Sequence, residues 1–363
     1  MEKLLDLYTD YLHVTFRSAT ATGLSTMVDG AVSHDQITRM LSKPAKSSKD
    51  LWLSVKPLAR RHQSEDACLI FDDSIIEKPH TDESDLVCWH FDHTSNRSLK
   101  GINLLSAFYH SQPPEQQLPL RVPVGFECVH KPIQYCDLKT RRQKRKSTVT
   151  KNELMRGMIQ QCIQNQLLFL YILADSWFAS AENMRFIHRK RKYFIFDLKC
   201  NRKAALSEDE RKQGRWQRID ELPIPEHTPV KVWLKDLDIE LLLVKQVFTN
   251  KDGSAGERYL VSNDLTLGYQ RFKTLYQKRW SVEEYHKSIK QNTAVGKSPT
   301  RTLKIQTNHL FAAILVYIKL ETYKFASSLN HFAIKSKLYN AALKAAFKEL
   351  NEFKTQFAVA ETA

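Results

Sequence analysis

The chain has 363 residues, with 55 lysines and arginines against 40 acidic residues, a formal charge of +15. That length allows a substantial core and two or three domains, and that charge calls for a polyanionic partner, nucleic acid before an anionic membrane surface. The longest apolar runs, 167–174 and 310–318, fall far short of the roughly 20 residues that span a bilayer, which excludes a transmembrane protein.

The N-terminus reaches Glu2, Lys3 and Asp6 without the pattern of a signal peptide, so a soluble, cytoplasmic chain is expected. Six cysteines lie at 68, 88, 128, 136, 162 and 200 with no CxxC pair. They read as free thiols of a reducing compartment and argue against a zinc site. No GxxxxGK[ST] or GxGxxG occurs, so nothing calls for a nucleotide cofactor.

Residues 1–65 read as short helices. Ser33 with Gln36 makes a capping box ahead of the Ile37, Met40, Leu41 stripe, and another helix starts near Ser48. This basic helical region is a candidate for binding DNA ends or for capping the next domain. At 67–72 "ACLIFD" reads as a buried strand delivering Asp72 and Asp73 at its end. Strands at 100–110 and 118–129 complete a meander with it, and 140–150 is a strongly basic loop. A helix over 151–168, a strand "FLYILAD" at 169–175, a helix from Ala181 and a strand at 192–199 follow. The order implies an α/β sheet with helices packed on it, spanning 66–203.

Residues 204–263 change character, with strands at 229–234, 238–247 and 257–262, a β-rich insertion. Helices resume at 266–279, 281–291, 301–320 and 333–352. They divide into a helical remainder of the core, 264–325, and a C-terminal helical region, 326–363.

Asp73 and Asp175 each follow an apolar strand, and a buried carboxylate is costly unless it is paired or binds a metal. From Tyr276, residues Arg279, Glu283 and Lys290 lie 3, 7 and 14 positions on. A continuous helix would align the four in a stripe about 60° wide. A break at Ser281, which forms a capping-box pattern with Glu284, would instead tilt Glu283 onto a new first turn. Two aspartates and a glutamate can hold two Mg²⁺ ions for phosphodiester chemistry, with Arg279, Lys287 and Lys290 facing DNA phosphates.

The spacing of Tyr276, Arg279, Glu283 and Lys290 resembles the signature of the IS4-type DDE transposases, a family of insertion-sequence enzymes. "FDDS" at 71–74 and "LADSWF" at 173–178 resemble that family's two aspartate strands, and the likeness covers about 66–320. The resemblance implies an RNase H-like catalytic core with a β-rich insertion and flanking helical regions. It implies Asp73 as the first metal-ligand aspartate, with Asp72 its rival, Asp175 as the second, and Glu283 as the catalytic glutamate. Tyr276, Arg279 and Lys290 would contact DNA near the cleaved end. Lys199 and Arg202 would extend that track, and His93, Arg97 and Lys100 form another DNA-facing set. The family's base-supporting tryptophan has candidates in Trp216 and Trp233.

The implied activity is Mg²⁺-dependent cleavage and strand transfer at element ends, with Mn²⁺ as a substitute ion. The partners would be double-stranded DNA, meaning terminal repeats and target, and a second copy forming a homodimer on DNA, with nucleoid association when bound. The alternatives are an RNase H-like nuclease without transposition, or a non-catalytic DNA-binding derivative.

Overall fold

The computed structural model describes residues 2–92, 95–250 and 252–361. Helices α1 (Glu2–Val14), α2 (Ala21–Met27), α3 (His34–Leu41) and α4 (Ser48–Arg61) open the chain. Strands β1 (Cys68–Glu77), β2 (Cys88–Asp92), β3 (Arg97–Ser111), β4 (Leu120–Cys128), β5 (Ile133–Asp137) and β6 (Arg142–Lys146) follow. Next come α5 (Lys151–Gln164), β7 (Tyr171–Ala174), α6 (Ala181–Arg189), β8 (Tyr193–Leu198), β9 (Lys203–Ala205), α7 (Glu208–Lys212) and β10 (Gln217–Arg218). After β11 (Val230–Leu234), β12 (Glu240–Thr249) and β13 (Ala255–Ser262), helices α8 (Tyr269–Gln277), α9 (Trp280–Asn292), α10 (Leu303–Ser327) and α11 (His331–Glu361) close it.

Two compact units result, Ser47–Glu284 and the pairing of Met1–Lys46 with Tyr285–Ala363. Helix α9 runs without a break across that division, so its first turn belongs to the larger unit.

In the larger unit β1 pairs antiparallel with β3 and β3 with β4, while β7 lies parallel to β1 and β8 parallel to β7. Cys68–Phe71, Tyr171–Ala174 and Phe194–Phe196 are buried throughout. Such unbroken apolar runs are what strands covered on both faces require. Helices α4 and α5 pack on β4, and α6 and α8 on β8. The larger unit is thus a mixed α/β domain with a central sheet and flanking helices, an arrangement broadly consistent with an RNase H-like fold.

The strands of 204–263 join the same sheet, where β13 pairs with β8 and carries β12, β11, β9 and β10 outward. Two sequence expectations are corrected by this arrangement. The basic loop expected at 140–150 is half strand: β6 pairs with β5 as a separate two-stranded ribbon. Its sequence, RQKRK, has no apolar alternation, so periodicity could not reveal it. And β1 runs on to Glu77, which sets Asp72 and Asp73 inside a strand and not at its end.

In the smaller unit α1 packs on α10 and α3. The Ser33–Gln36 capping box is present at the start of α3. Tyr8 Oη meets His309 Nδ1 at 2.9 Å, and the buried Asn308 amide donates to the carbonyls of Leu41 and Lys43 at 2.8 and 3.0 Å. These polar contacts satisfy groups that α10 would otherwise bury unpaired. Among the described residues no helix is long and apolar enough to cross a membrane, and the six cysteines are free.

Candidate metal centre

Strand register assembles the site. Phe71 lies opposite Ala174, and Ala174 opposite Phe196. The next residue along each of these three parallel strands is an aspartate: Asp72, Asp175 and Asp197. Residues at equal register in neighbouring parallel strands share a face, so the three acids form one row across β1, β7 and β8.

The electrostatics follow from that crowding. Burial pushes the Asp72 carboxyl up to about 8, reinforced by the negative charges of Glu283 and Asp175, with Arg279 pulling the other way. Burial also raises Asp175, opposed by the Trp177 backbone N–H, which donates to Asp175 Oδ1 at 3.0 Å. Asp197 is pushed up to about 6 by burial and drawn back by Arg258, whose Nε lies 3.6 Å from its Oδ2.

Glu283 enters from α9. It occupies the helix's first turn, where the unpaired N–H groups favour a carboxylate. Arg279 Nη1 lies 3.3 Å from Glu283 Oε1 and 3.9 Å from Asp72 Oδ2. That guanidinium therefore sits between the strand acid and the helix acid. Its carbon stands 5.8 Å from the Tyr276 ring and 5.5 Å from the exposed Trp280 ring, within cation–π range.

A carboxylate oxygen of Asp72 and one of Glu283 lie within 4.8 Å of each other. Two converging carboxylates are hard donors capable of coordinating a divalent ion and compatible with a nuclease-type active site. The donor set fits such an ion on a second ground. A carboxyl raised to about 8 by burial, with the like charges of Glu283 and Asp175 adding to it, is the condition a divalent cation would relieve.

Asp73 is placed differently. Along an extended strand it faces away from Asp72, and its carboxylate is taken up by Lys151 Nζ on Oδ1 and Asn103 Nδ2 on Oδ2, both at 2.6 Å. Lys151 also lies 4.7 Å over the exposed Trp177 ring.

The helix carrying the signature is interrupted, but not where Ser281 and Glu284 suggested. Helix α8 ends at Gln277 and α9 starts at Trp280, so Arg279 lies in the joint. Ser281 is already helical and donates its hydroxyl to the Lys278 carbonyl at 2.6 Å. Glu284 caps nothing and instead pairs with Arg121 at 2.5 Å.

The remaining predicted contacts are dispersed. Lys287 and Lys290 are exposed on α9, one and two turns beyond Glu283. Lys199 is exposed just past β8. Arg202 is half-buried and donates to the Ala179 carbonyl at 3.1 Å, so it braces the segment after Asp175. Lys100 pairs with Trp89 in the β3–β2 ladder, six residues along β3 from Ser106, the partner of Asp72. That is about 20 Å at strand spacing, away from the acids. Arg97 is exposed at the start of β3, and His93 lies outside the described residues. Trp216 and Trp233 are both half-buried.

Sequence reasoning missed Asp197, although the signal was there. "CLIFD", "YILAD" and "YFIFD" are three apolar runs each closed by aspartate, and only the first two were read as site strands.

Comparison with known proteins bears on the same region. Residues 141–319 match the family model described as the transposase DDE domain. The match takes in Asp175, Arg279, Glu283 and Lys290 and begins after Asp72. No curated protein matches the chain. The segment 141–319 is therefore similar to a DDE-type transposase domain, and Asp175 and Glu283 lie inside that match.

Proposed function

We propose that this chain is an IS4-type DNA transposase with an RNase H-like core that hydrolyses phosphodiesters at insertion-sequence ends and transfers the freed strand. The observation that carries the reading is the meeting of Asp72 and Glu283, from a strand and a helix, around Arg279, with Asp175 following the neighbouring parallel strand.

In this reading Asp72, Asp175 and Glu283 hold Mg²⁺, two ions in all, with Mn²⁺ accepted in its place. Asp72 takes the role that resemblance gave to Asp73, because Asp73 is engaged by Lys151 and Asn103. When bound, the metal supplies Lewis-acid activation of the attacking hydroxyl and offsets charge on the phosphate.

The chain's own groups do the rest. Arg279 holds Glu283 toward the strand acids and places positive charge where a phosphate would approach. Tyr276, buried behind it, fixes the guanidinium plane. Lys287, Lys290 and Lys199 offer exposed cations to the DNA backbone. Arg202 acts by bracing, and Lys100 belongs to a separate surface.

Residues 1–65 are proposed to contribute to DNA-end binding. Strand transfer needs two ends held together, so a homodimer on DNA is part of the proposal. Leu343, Phe347 and Leu350, exposed on α11 at helical spacing, support an uncovered apolar stripe for a second copy.

The test is incubation of the protein with labelled duplexes carrying the element's ends, with and without Mg²⁺. Nicking that exposes a 3′-hydroxyl, followed by joined products, is expected. Nicking without joining would reduce the reading to a nuclease, and end binding without nicking would reduce it to a DNA-binding protein.

A further inference from the structure

The strands β5 and β6 stand apart from the main sheet as a two-stranded ribbon. Nearly every residue of both strands is exposed, on both faces. A two-stranded ribbon without a covered apolar face is at best marginally stable alone in water. Among the described residues, side chains of Lys131 and Arg145 hold it to the preceding segment. Arg145 Nε lies 2.9 Å from Glu83 Oε1, and Lys131 Nζ donates to the Trp89 carbonyl at 2.9 Å. Its tip carries Leu138, 91% exposed.

The charge of the ribbon is one-sided. Residues 131–146 carry Lys131, Lys139, Arg141, Arg142, Lys144, Arg145 and Lys146 against a single acid, Asp137. Asp137 is taken up by Lys144 at 2.6 Å. Among the described residues, no acidic side chain pairs with Lys139, Arg141, Arg142 or Lys146. Pairing sets Tyr135 opposite Lys144 and Ile133 opposite Lys146, so one face of the ribbon alternates cations with apolar groups. Beside it, β2 turns Trp89 and Phe91 outward, 55% and 52% exposed, and with Lys131, Arg142 and Lys144 they border a cavity of about 510 Å³.

We infer that the β5–β6 ribbon is a second DNA-contacting element, which lays Arg142 and Lys146 of one strand face, with Lys139 and Arg141 of its turn, against duplex phosphates, with Trp89 and Phe91 flanking the contact. The inference rests on the proposed DNA substrate and adds a surface remote from the metal ligands in sequence. Charge complementarity selects the occupant: exposed cations with no acidic partner among the described residues, along one strand and its turn, match a phosphate backbone. The shape agrees, since a two-stranded ribbon fits a major groove about 12 Å wide. Exposed aromatics beside the cations suit contact with sugars or unstacked bases.

The test uses binding, not chemistry. The full-length protein and a K139Q/R141Q/R142Q/K146Q variant are titrated with a fluorescent duplex of arbitrary sequence, without divalent metal, over a range of salt. Each lost phosphate contact removes about 0.9 from the slope of log K against log salt, so loss of all four should make the variant's slope shallower by about 3.6. Its affinity near physiological salt should fall about tenfold or more. These side chains are exposed, so the melting temperature should match that of the wild type. An unchanged slope and affinity would overturn the inference. So would weaker retention on heparin with unchanged duplex binding, which would mark a different polyanion as the occupant. Because no cleavage is read, failure of the ribbon and failure of the transposase reading are distinguishable: a protein that cuts ends normally but shows an unaltered salt slope sinks only the former.

Discussion

Lys151 Nζ lies 2.6 Å from Asp73 Oδ1, and that contact separates two adjacent aspartates. With Asn103 on its other oxygen, Asp73 is a structural acceptor, while Asp72 faces Glu283. Asp72→Asn should lower end cleavage by about 10³-fold or more, as loss of a member of a catalytic unit does. Asp73→Asn should cost about 10–100-fold, in line with a group that orients its neighbours. Single-turnover cleavage of an end duplex by the two variants reads the difference.

Crowding at Asp72 has a consequence for stability. Its carboxyl titrates at about 8 in the fold against an ordinary 3.8, so between these values the folded state holds a proton that the unfolded chain has lost. The stability tied to that proton is fully present below pH 4 and is lost as the pH rises through 8. Asp72→Asn should therefore stabilise the metal-free protein at pH 8 by about 1–3 kcal/mol and leave it nearly unchanged at pH 4. Thermal melting at the two pH values, with and without Mg²⁺, checks this. Added Mg²⁺ should raise the wild-type melting temperature and narrow the gap at pH 8.

Glu283 and Glu284 are neighbours in sequence with opposite prospects. Glu283 approaches Arg279 and Asp72, whereas Glu284 pairs with Arg121 at the surface. Glu283→Gln should abolish cleavage, with a loss of about 10³-fold or more. Glu284→Gln should leave cleavage intact and change stability by no more than about 0.5 kcal/mol, as exposed pairs do. A paired cleavage and melting assay reads both.

Strand β7 is held in place from its first residue. Tyr171 Oη donates to the buried Asp264 Oδ2 at 2.7 Å, which ties the strand leading to Asp175 to the turn after β13. Tyr171→Phe should cost about 1.5–3 kcal/mol, the range for a hydrogen bond to a charged group. Chemical denaturation should show a lower midpoint with an unchanged slope.

Much of this was legible in the sequence because burial leaves a mark there. The runs at 67–72, 169–175 and 192–199 are apolar without alternation, and they became the three central parallel strands. Ser33 and Gln36 announced a helix start that the structure contains. What escaped depends on partners distant in sequence. Register alone sets Phe71, and with it the following Asp72, level with Ala174 and the following Asp175, and no local pattern encodes register. The ribbon at 133–146 is held by backbone pairing between polar strands, which leaves no periodicity to read. The joint at Lys278 and Arg279 lies inside a stretch with no glycine or proline to punctuate it.

In the proposed function Asp72, Asp175 and Glu283 hold a divalent ion for DNA cleavage. The most direct measurement is strand-specific cleavage of an end duplex by wild type, Asp72→Asn and Asp73→Asn, each titrated with Mg²⁺ and Mn²⁺. The account predicts metal-dependent 3′-hydroxyl formation by wild type, its loss in Asp72→Asn, and a partial defect in Asp73→Asn. Full activity in Asp72→Asn, or cleavage that persists in a metal chelator, would contradict it.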